Sequence, residues 1–346
     1  MATITGKKVG ATGFGLMSTP LTSTRQFRFL RTNNHSTDLT WRTTPVPDEQ
    51  AFAAMKAALS SGCNFWNGGE LYGTAQANSL HLLNRYFTKY PEDADKVVLS
   101  IKGGGIPGQM VVDGSEKNTR RSIDECLKVL DGKKYLDIFE AARVDPKVSL
   151  SETIGTIGQY VKEGKVGGIS ISEVTEDQIR EAAKIHPIAA CEVELSLHST
   201  DILENGVATA CGELGIPIVA YSPLGRGLLT AQISSVKDIA PDDIRHHLPR
   251  FAPDAVPKNA QMGQELQKLG KEKGCTPAQV ALAWVRSLSG KYGYGVIIPI
   301  PGSTTKERAV ENSKEITLNE DDLKEIEGIM QKHEVVGARY PTQWGK

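Results

Sequence analysis

The stretch Asn64-Phe65-Trp66-Asn67-Gly68-Gly69-Glu70-Leu71-Tyr72-Gly73 lies near the start of a regular pattern in this chain. A short apolar run ends at Asn67, a glycine pair follows, and Tyr72 comes soon after. This order is typical of a buried strand that ends in a loop, where polar side chains can serve a site. We therefore predict a strand over 64–67 with functional groups just beyond its carboxyl end.

Strands and helices alternate on both sides of this stretch. Residues 3–16 predict a short hairpin that leads into a first strand. The predicted strands are short and apolar, as expected of parallel strands buried on both faces. They cover 13–17, 64–67, 97–102, 136–139, 166–172, 188–195, 216–221 and 296–300. One helix is predicted from Pro47 to just before Gly62, and others over 79–90, 118–130, 151–163, 175–185, 202–214 and 277–288.

Eight such units in a chain of 346 residues favour one fold class. They predict an α/β protein whose strands close into a (β/α)8 TIM barrel, rather than two doubly wound sheets. No internal repeat or interdomain linker is evident, so we expect residues 1–346 to form a single domain with an N-terminal β-hairpin. In such a barrel the active site lies at the carboxyl ends of the strands.

The composition excludes several classes of partner. The net charge is -1, with 39% apolar and 23% charged residues, so nothing favours nucleic acid or an anionic membrane. The five cysteines are scattered without a Cys-x-x-Cys pair, which is typical of reduced thiols in a cytoplasmic protein. The start of the chain lacks an apolar signal core, and no histidine spacing suggests a metal site. The oligomeric state stays open.

Polar residues recur at the carboxyl ends of the predicted strands. Asn67, Lys102, Ser172, Tyr221 and Gly302 all fall at such ends. A tyrosine with its ordinary pKa near ~10 is a poor acid at neutral pH, and a lysine within ~4–6 Å would lower that pKa. Tyr72 and Lys102 could form such a pair. Each also has a plainer interpretation, as a surface tyrosine and a solvated strand end.

These motifs resemble the aldo-keto reductase family, which has Phe-x-Asp-Thr-Ala-x-x-Tyr-Gly where this chain has residues 65–73. The resemblance implies Tyr72 as proton donor to a substrate carbonyl and Lys102 as the group that lowers its pKa. Asn67 replaces the family's aspartate, so it can hold Lys102 by a hydrogen bond but offers no charge. Ala142 replaces the family's histidine. Trp-Asn-x-Gly-Glu-x-Tyr-Gly and Ala-Arg-Val-Asp resemble one branch, the fungal pyridoxal reductases.

The same resemblance implies a site for NADPH or NADP+. Ser172 would bind the nicotinamide amide, while Glu173 and Glu192 stand where the family has Asn and Gln. Tyr221 would stack on the nicotinamide, and the loop after it would hold the pyrophosphate through backbone amides. The predicted residues of this loop are Tyr221, Ser222, Pro223, Leu224, Gly225 and Gly227. A simple turn between strand and helix is the alternative.

The adenosine end of the cofactor is predicted at residues 300–312. Hydroxyl groups at a helix start and two nearby cations suit a 2′-phosphate. The predicted residues are Gly302, Ser303, Thr304, Lys306, Arg308, Glu311 and Asn312. Helix capping alone would explain Ser303 but not Lys306 and Arg308 together. In the family, the loop at 228–257 and the tail at 333–346 shape the substrate pocket.

The resemblance implies NADPH-dependent reduction of a small-molecule aldehyde, with pyridoxal converted to pyridoxine. Another aromatic or sugar-derived aldehyde is the alternative substrate. A different class stays open as well, an NADPH-binding regulatory subunit like the potassium-channel β subunits.

Residues 18–38 interrupt the resemblance with a polar segment that has no apolar period, so we expect a loop or disorder. It is interpreted as an insertion that impairs the protein, a natural lid, or a gene-model error.

Overall fold

The structure of the protein is a computed structural model. It describes residues 2–17, 46–74, 76–106, 109, 111–241 and 243–341. The predicted loop or disordered segment at 18–38 therefore lies outside the described residues. Within the described ranges, no helix has both the length and the apolar character needed to cross a bilayer.

Short strands alternate with α-helices along the chain. The strands, in chain order, are β1 Ala2–Ile4, β2 Lys7–Val9, β3 Phe14–Gly15, β4 Phe65–Gly69, β5 Gly73–Thr74, β6 Ala77–Asn78, β7 Val98–Gly103, β8 Ile138–Ala141, β9 Ile169–Ser172, β10 Ile188–Glu194, β11 Ile218–Tyr221 and β12 Ile297–Pro299. The helices are α1 Asp48–Ser60, α2 Ser79–Lys89, α3 Glu116–Leu130, α4 Leu150–Lys162, α5 Glu176–Ile185, α6 Val207–Glu213, α7 Val256–Glu272, α8 Pro277–Ser287, α9 Lys306–Ser313 and α10 Glu320–Lys332.

Eight of these strands form one parallel sheet in the order β3-β4-β7-β8-β9-β10-β11-β12. The backbone N–H of Gly13 donates to the carbonyl oxygen of Pro299 at 2.9 Å, and that of Gly15 donates to Pro301 at 3.2 Å. These bonds join the first strand to the last and close the sheet. The predicted (β/α)8 barrel and its antiparallel N-terminal hairpin, β1 with β2, are confirmed.

Glycine is required where the barrel closes. A Cβ atom at Gly15 would lie 2.8 Å from the carbonyl oxygen of Ile300, and one at Gly13 would lie 2.7 Å from that of Phe65. Both distances are too short for real contacts, so a side chain would push the first strand away from its neighbours.

The amino end of the barrel is filled by apolar side chains. Ala2, Ile4 and Val9 of the hairpin pack against interior side chains of the strands. The strand residues in this cluster are Phe65, Val98, Ile138, Ala190, Val219, Ile298 and the neighbouring Ile300. A second, larger cluster lies between the strands and the surrounding helices. The hairpin therefore closes one end of the barrel and leaves the carboxyl end for a site.

The helices differ from the predictions in three places. The predicted helix over 202–214 is a short 3-10 turn followed by α6, because Gly206 between them has a φ of 86°. Helices α7 and α10 were not predicted. In α7 the inward positions include Asn259, Gly263 and Gly270, which give little apolar signal. Gly263 lets α7 approach the chain closely, since a Cβ there would lie 2.3 Å from the carbonyl oxygen of Leu228.

Candidate active site

Interior positions of the barrel change from apolar to polar toward its carboxyl end. Side chains two apart on a strand point to the same face, so the residue two places after each apolar interior residue also points inward. The successive pairs are Phe65 and Asn67, Val98 and Ser100, Ile138 and Glu140, and Ala190 and Glu192. The strands thus place a buried polar layer directly above the apolar one.

Lys102 lies at the centre of this polar layer. Its Nζ is 2.6 Å from Oε1 of Glu192 and 3.1 Å from Oε1 of Glu140. Only 11% of the Lys102 side chain and 1% of each glutamate side chain are exposed. One ammonium and two carboxyl groups therefore share a space that is nearly closed to water.

Asn67 contacts a carboxyl group rather than the ammonium. Its Nδ2 donates to Oε2 of Glu192 at 2.5 Å and lies 3.5 Å from Oε2 of Glu140. No hydrogen bond joins Asn67 to Lys102 among the described residues, so the expectation that Asn67 holds Lys102 directly is corrected. The reason is that Glu192 lies between them and takes a bond from each.

The close approach of these three groups shifts the pKa values of Lys102 and Glu140. Burial and the neighbouring Glu192 raise the pKa of Glu140 to about 8, although Lys102 opposes the rise. Burial alone would lower the pKa of Lys102, but Glu140 and Glu192 hold it well above its usual value. At neutral pH Lys102 is therefore an ammonium, and Glu140 keeps its proton.

Tyr72 lies at the edge of the polar layer, in the loop after β4. Its backbone N–H donates to the carbonyl oxygen of Gly69 at 3.2 Å, and its own carbonyl accepts from Ser79 at 3.0 Å. The ring packs on Gly69, where a Cβ atom would lie 3.0 Å from it. The side chain lines a cleft, and its hydroxyl has no hydrogen-bond partner among the described residues. The loop thus presents the phenol to the cleft.

The pKa of Tyr72 is shifted in the direction opposite to the prediction. Burial raises it; Lys102 lowers it as expected, but Glu192 and Glu140 raise it further. The net direction is upward because burial is the largest effect, and the two carboxyl groups add to it while Lys102 opposes it. Tyr72 stays protonated, as a proton donor must be, and it is a weaker acid than the sequence suggested.

The cleft opens at the carboxyl ends of the strands and has a volume of about 1560 Å³. Most predicted site residues line it: Asn67, Tyr72, Lys102, Tyr221, Ser222, Pro223, Leu224, Gly227, Gly302, Ser303, Thr304, Arg308, Glu311 and Asn312. The exceptions are Ser172, Gly225 and Lys306. Ser172 and Gly225 are buried, whereas Lys306 is exposed at the start of α9. The residues are brought together, and their roles remain predictions.

The loop after β11 has an unusual backbone. Ser222, Gly225, Arg226 and Gly227 all have positive φ, at 49°, 56°, 57° and 102°. Ser222 and Arg226 are not glycines, so this conformation is strained and is maintained by the surrounding structure. Two backbone N–H groups are used inside the loop, because Gly225 donates to the carbonyl oxygen of Ser222 and Gly227 to that of Leu224, each at 3.0 Å. Other N–H groups of such a loop can bind an anion such as a pyrophosphate.

The start of α9 uses some of its hydroxyl groups internally. Thr305 caps the helix by accepting from the backbone N–H of Arg308 at 3.3 Å, and Ser303 Oγ donates to the carbonyl oxygen of Thr305 at 2.7 Å. The exposed Arg308 guanidinium donates to Gln232 Oε1 at 2.7 Å. Arg308 therefore faces the cleft from the helix end, next to a polar neutral group rather than a carboxylate.

Arg143 is a cation in the cleft that the sequence analysis did not single out for a role. Its Nη1 donates to the carbonyl oxygen of Ala142 at 2.6 Å and to Ser172 Oγ at 3.3 Å. Among the described residues, no carboxylate lies within 4.0 Å of it, and its Nε and Nη2 make no hydrogen bond. Neither of those nitrogens is sealed from solvent. Arg143 thus offers two nitrogens, Nε and Nη2, with three N–H bonds to whatever occupies the cleft.

The C-terminal segment crosses the mouth of the cleft. Arg339 Nη2 lies 2.9 Å from Glu173 Oε2, and the hydroxyls of Tyr340 and Tyr221 are 3.0 Å apart. Arg226 Nη1 donates to the carbonyl oxygen of Arg339 at 3.1 Å. Burial favours a higher pKa for Glu173, but Arg339 and Arg143 hold it below its ordinary value. The tail is therefore held against the cleft by ion pairs.

The sequence did not identify Glu140 as a site residue, and it gave no definite role to Glu192. Each is a charged residue in an otherwise apolar strand, two places beyond a buried aliphatic residue. That alternation was the available signal, because a charge facing a barrel interior is rarely structural. Arg143 was quoted only as part of a motif.

Comparison with known proteins places this fold and cleft in a family. The model of the aldo/keto reductase family matches residues 36–331. The chain is 37% identical to the Schizosaccharomyces pombe protein named "Probable pyridoxal reductase 2", over 99% of this chain and 98% of that protein. It is 36% identical to a Saccharomyces cerevisiae protein provisionally named a pyridoxal reductase, over 90% of this chain and 98% of that protein. The chain belongs to the aldo/keto reductase family.

Solved structures agree on the fold. The glycerol dehydrogenase AKR11B4 from Gluconobacter oxydans aligns with a TM-score of 0.74 at 18% identity, over 94% of this chain and 92% of that one. At this identity the likeness concerns the fold alone. The family consists of oxidoreductases that generally use NAD(P)H, and the cleft fits such a cofactor. Its length runs from Tyr72 past the strained loop at 222–227 to Arg308 on α9.

Proposed function

We propose that this protein reduces an aldehyde to an alcohol, with pyridoxal as the substrate and NADPH as the reductant. One observation carries the proposal. The Tyr72 phenol faces a large cleft beside the buried Lys102 ammonium, and the same cleft extends to a concave backbone loop and a helix start. When bound, NADPH supplies the hydride that the carbonyl carbon receives. Tyr72 donates its proton to the carbonyl oxygen, and the Lys102 charge stabilises the phenolate that remains.

The residues along the cleft divide the binding work. The Tyr221 ring would support the nicotinamide, and the backbone N–H groups of Ser222, Leu224 and Arg226 would bind the pyrophosphate. Arg308 would pair with the 2′-phosphate, supported by Ser303 and Thr304 before the start of α9 and by Asn312 in its last turn. Lys306 and Gly225 do not line the cleft, so in our proposal they contribute charge and backbone shape rather than contacts.

Two facts favour pyridoxal among aldehydes. Two relatives that align over at least 90% of this chain and 98% of their own length bear the name pyridoxal reductase. Pyridoxal also carries a phenolic oxygen on the ring carbon next to the aldehyde-bearing one. Arg143 lies in the cleft with two nitrogens, Nε and Nη2, that have no protein partner among the described residues, and its charge makes a small contribution that lowers the pKa of Tyr72. An arginine near the acid is well placed to bind such an oxygen.

A regulatory, NADPH-binding role is the second candidate. It is favoured by Ala142, which places no acid–base side chain after β8, and by the raised pKa of Tyr72. Such a protein would bind NADPH but turn over slowly.

The test is turnover of pyridoxal with NADPH, followed at the nicotinamide absorbance and by chromatography of the product. We expect one pyridoxine formed for each NADPH consumed. Tight NADPH binding without pyridoxine would favour the regulatory role. A much higher kcat/KM on a different aldehyde would support aldehyde reduction as the reaction but would show that pyridoxal is not the preferred substrate.

A further inference from the structure

The two carboxyl groups around Lys102 are not equivalent. Glu192 accepts two short bonds, at 2.6 Å from Lys102 and 2.5 Å from Asn67. Glu140 has only long contacts, 3.1 Å to Lys102 Nζ and 3.4 to 3.5 Å to Ser100, Ser170 and Asn67. Short contacts mark an ionised acceptor, because charge-assisted bonds are shorter than neutral ones. Glu192 therefore has the closer polar partners, and Glu140, whose pKa burial and Glu192 raise to about 8, is the carboxyl group that retains a proton.

The number of charges in the layer also requires that one of the two carboxyl groups keep a proton. Two carboxylates and one ammonium would leave a net negative charge in a space with almost no exposure to water. Like charges in a shared buried site do not both ionise, so one carboxyl keeps its proton. The groups that face Glu140 are Asn67 from β4, Ser100 and Lys102 from β7, Ser170 from β9 and Glu192 from β10. Of these, only Lys102 and Glu192 carry charge.

The proposed reaction requires a proton after each turnover. Tyr72 gives its proton to the substrate oxygen, and the cleft side of Tyr72 is then filled by product and cofactor. Ala142 has no group that could return a proton from the cleft wall. The interior layer is the other side of the phenol, and Lys102 lines the cleft while contacting both glutamates.

We propose that Glu140 and Glu192 hold one proton between them in the resting protein, and that Glu140 returns it through Lys102 to the Tyr72 oxygen after each reduction. The return path rests on the proposed function, whereas the shared proton does not. The Tyr72 O–H bond breaks as the alcohol O–H forms. Because no hydrogen bond joins Lys102 to Tyr72 among the described residues, a water molecule in the cleft gives a proton to the Tyr72 oxygen and takes one from the Lys102 ammonium. The Glu140 O–H then transfers to the resulting amine. Glu140 is left as a carboxylate and regains its proton by way of Lys102, which lines the cleft and is 11% exposed.

The first test uses the resting protein and needs no activity. Protein labelled with 13C at the glutamate carboxyl carbon is titrated by NMR, beside the Glu140→Gln variant. We expect one carboxyl carbon to titrate near the pKa of about 8 that burial and Glu192 impose on Glu140. That signal should be missing in Glu140→Gln, with NADPH binding unchanged as a check on folding. If every glutamate carbon titrates in the ordinary acidic range, the shared proton is refuted.

The second test is kinetic and concerns the return path. In Glu140→Gln the first turnover should keep its rate, because Tyr72 starts with its own proton, while kcat should fall roughly tenfold or more. The alkaline limb of the kcat profile near pH 8 should also disappear. Ser170→Ala is the matched control: it removes a hydroxyl 3.4 Å from Glu140 but keeps the carboxyl, so the limb should stay.

The two halves of the proposal can fail separately. An unchanged kcat with the limb retained in Glu140→Gln overturns the return path. If the first-turnover rate and kcat of Glu140→Gln both fall while the alkaline limb of the kcat profile stays, Glu140 has a purely structural role. If the protein reduces no aldehyde, the proposed function fails, and the NMR titration still decides whether the proton is shared.

Discussion

The substitutions Asn67→Asp and Glu192→Gln test whether the stability of the buried layer depends on its number of carboxylates. Together they move one carboxylate from residue 192 to residue 67 with little change in side-chain shape. Asn67→Asp alone would place a carboxylate against Glu192, across a contact of 2.5 Å. Two unit charges at that distance repel by roughly 6–7 kcal/mol at an effective dielectric constant of about 20. Protonation relieves part of this, since each pKa unit corresponds to about 1.4 kcal/mol. We therefore expect Asn67→Asp to destabilise the fold by about 2–4 kcal/mol at pH 8 and by less at pH 6.

The double variant Asn67→Asp with Glu192→Gln should recover most of that loss. The introduced glutamine can accept from Lys102 through its oxygen and donate to the introduced aspartate through its nitrogen, so the charge count and both bonds are kept. Urea denaturation of the wild type, both single variants and the double variant at pH 8 gives the coupling free energy. We expect roughly 3 kcal/mol in favour of the double variant.

A matched control uses a neighbouring glutamate on the same strand. Glu194 is buried but pairs with Arg226 and the tail, and it does not contact Asn67. Asn67→Asp combined with Glu194→Gln should therefore give additive losses. Additive losses in the Asn67–Glu192 pair as well would refute the account of the buried layer.

Individual contacts give three further predictions. Arg308→Ala should weaken NADPH binding about ten- to a hundred-fold and leave NADH binding nearly unchanged, because a charge-assisted bond contributes about 1.5–3 kcal/mol; equal losses in fluorescence titrations with the two cofactors would make Arg308 structural. Arg143→Gln should raise KM for pyridoxal about tenfold or more but not for benzaldehyde, which lacks the phenolic oxygen; parallel changes would remove Arg143 from substrate recognition. The pKa of Glu140 rises from 4.5 to about 8 on folding, so its stabilising contribution is complete below pH 4.5 and is lost as pH rises through 8. Thermal unfolding should show the wild type losing stability over that window relative to Glu140→Gln, and parallel curves would contradict the raised pKa.

The barrel could be predicted because each of its strands is recognisable from a short stretch of sequence. Short apolar runs between helices indicate strands that are buried on both faces of a parallel sheet. Eight such strands that alternate with helices are compatible with few folds, and the (β/α)8 barrel is the main one. The gathering of Asn67, Tyr72, Lys102 and Arg308 in one cleft followed from that topology, since parallel strands bring their carboxyl ends to one face. Helix α7 was missed because its inward face is partly glycine and asparagine, where close packing replaces apolar area.

The electrostatics of the site could not be predicted in the same way. The direction of the Tyr72 pKa depends on how many charges lie near it and how deeply it is buried. The sequence analysis counted Lys102 but not Glu140, which lies far away in the chain, and it left Glu192 without a role. The three groups meet only in the closed barrel, where the interior positions of β7, β8 and β10 point into one space although β9 separates β8 from β10 in the sheet.

The proposal that Tyr72 protonates the substrate is tested most directly by one measurement. Wild type and Tyr72→Phe are loaded with NADPH, mixed with pyridoxal, and followed through a single turnover at the nicotinamide absorbance, with NADPH affinity measured in parallel. The variant removes only the hydroxyl that faces the cleft. Our account predicts a rate lower by ~10²–10⁴-fold with NADPH affinity nearly unchanged. An unchanged rate in Tyr72→Phe would contradict it.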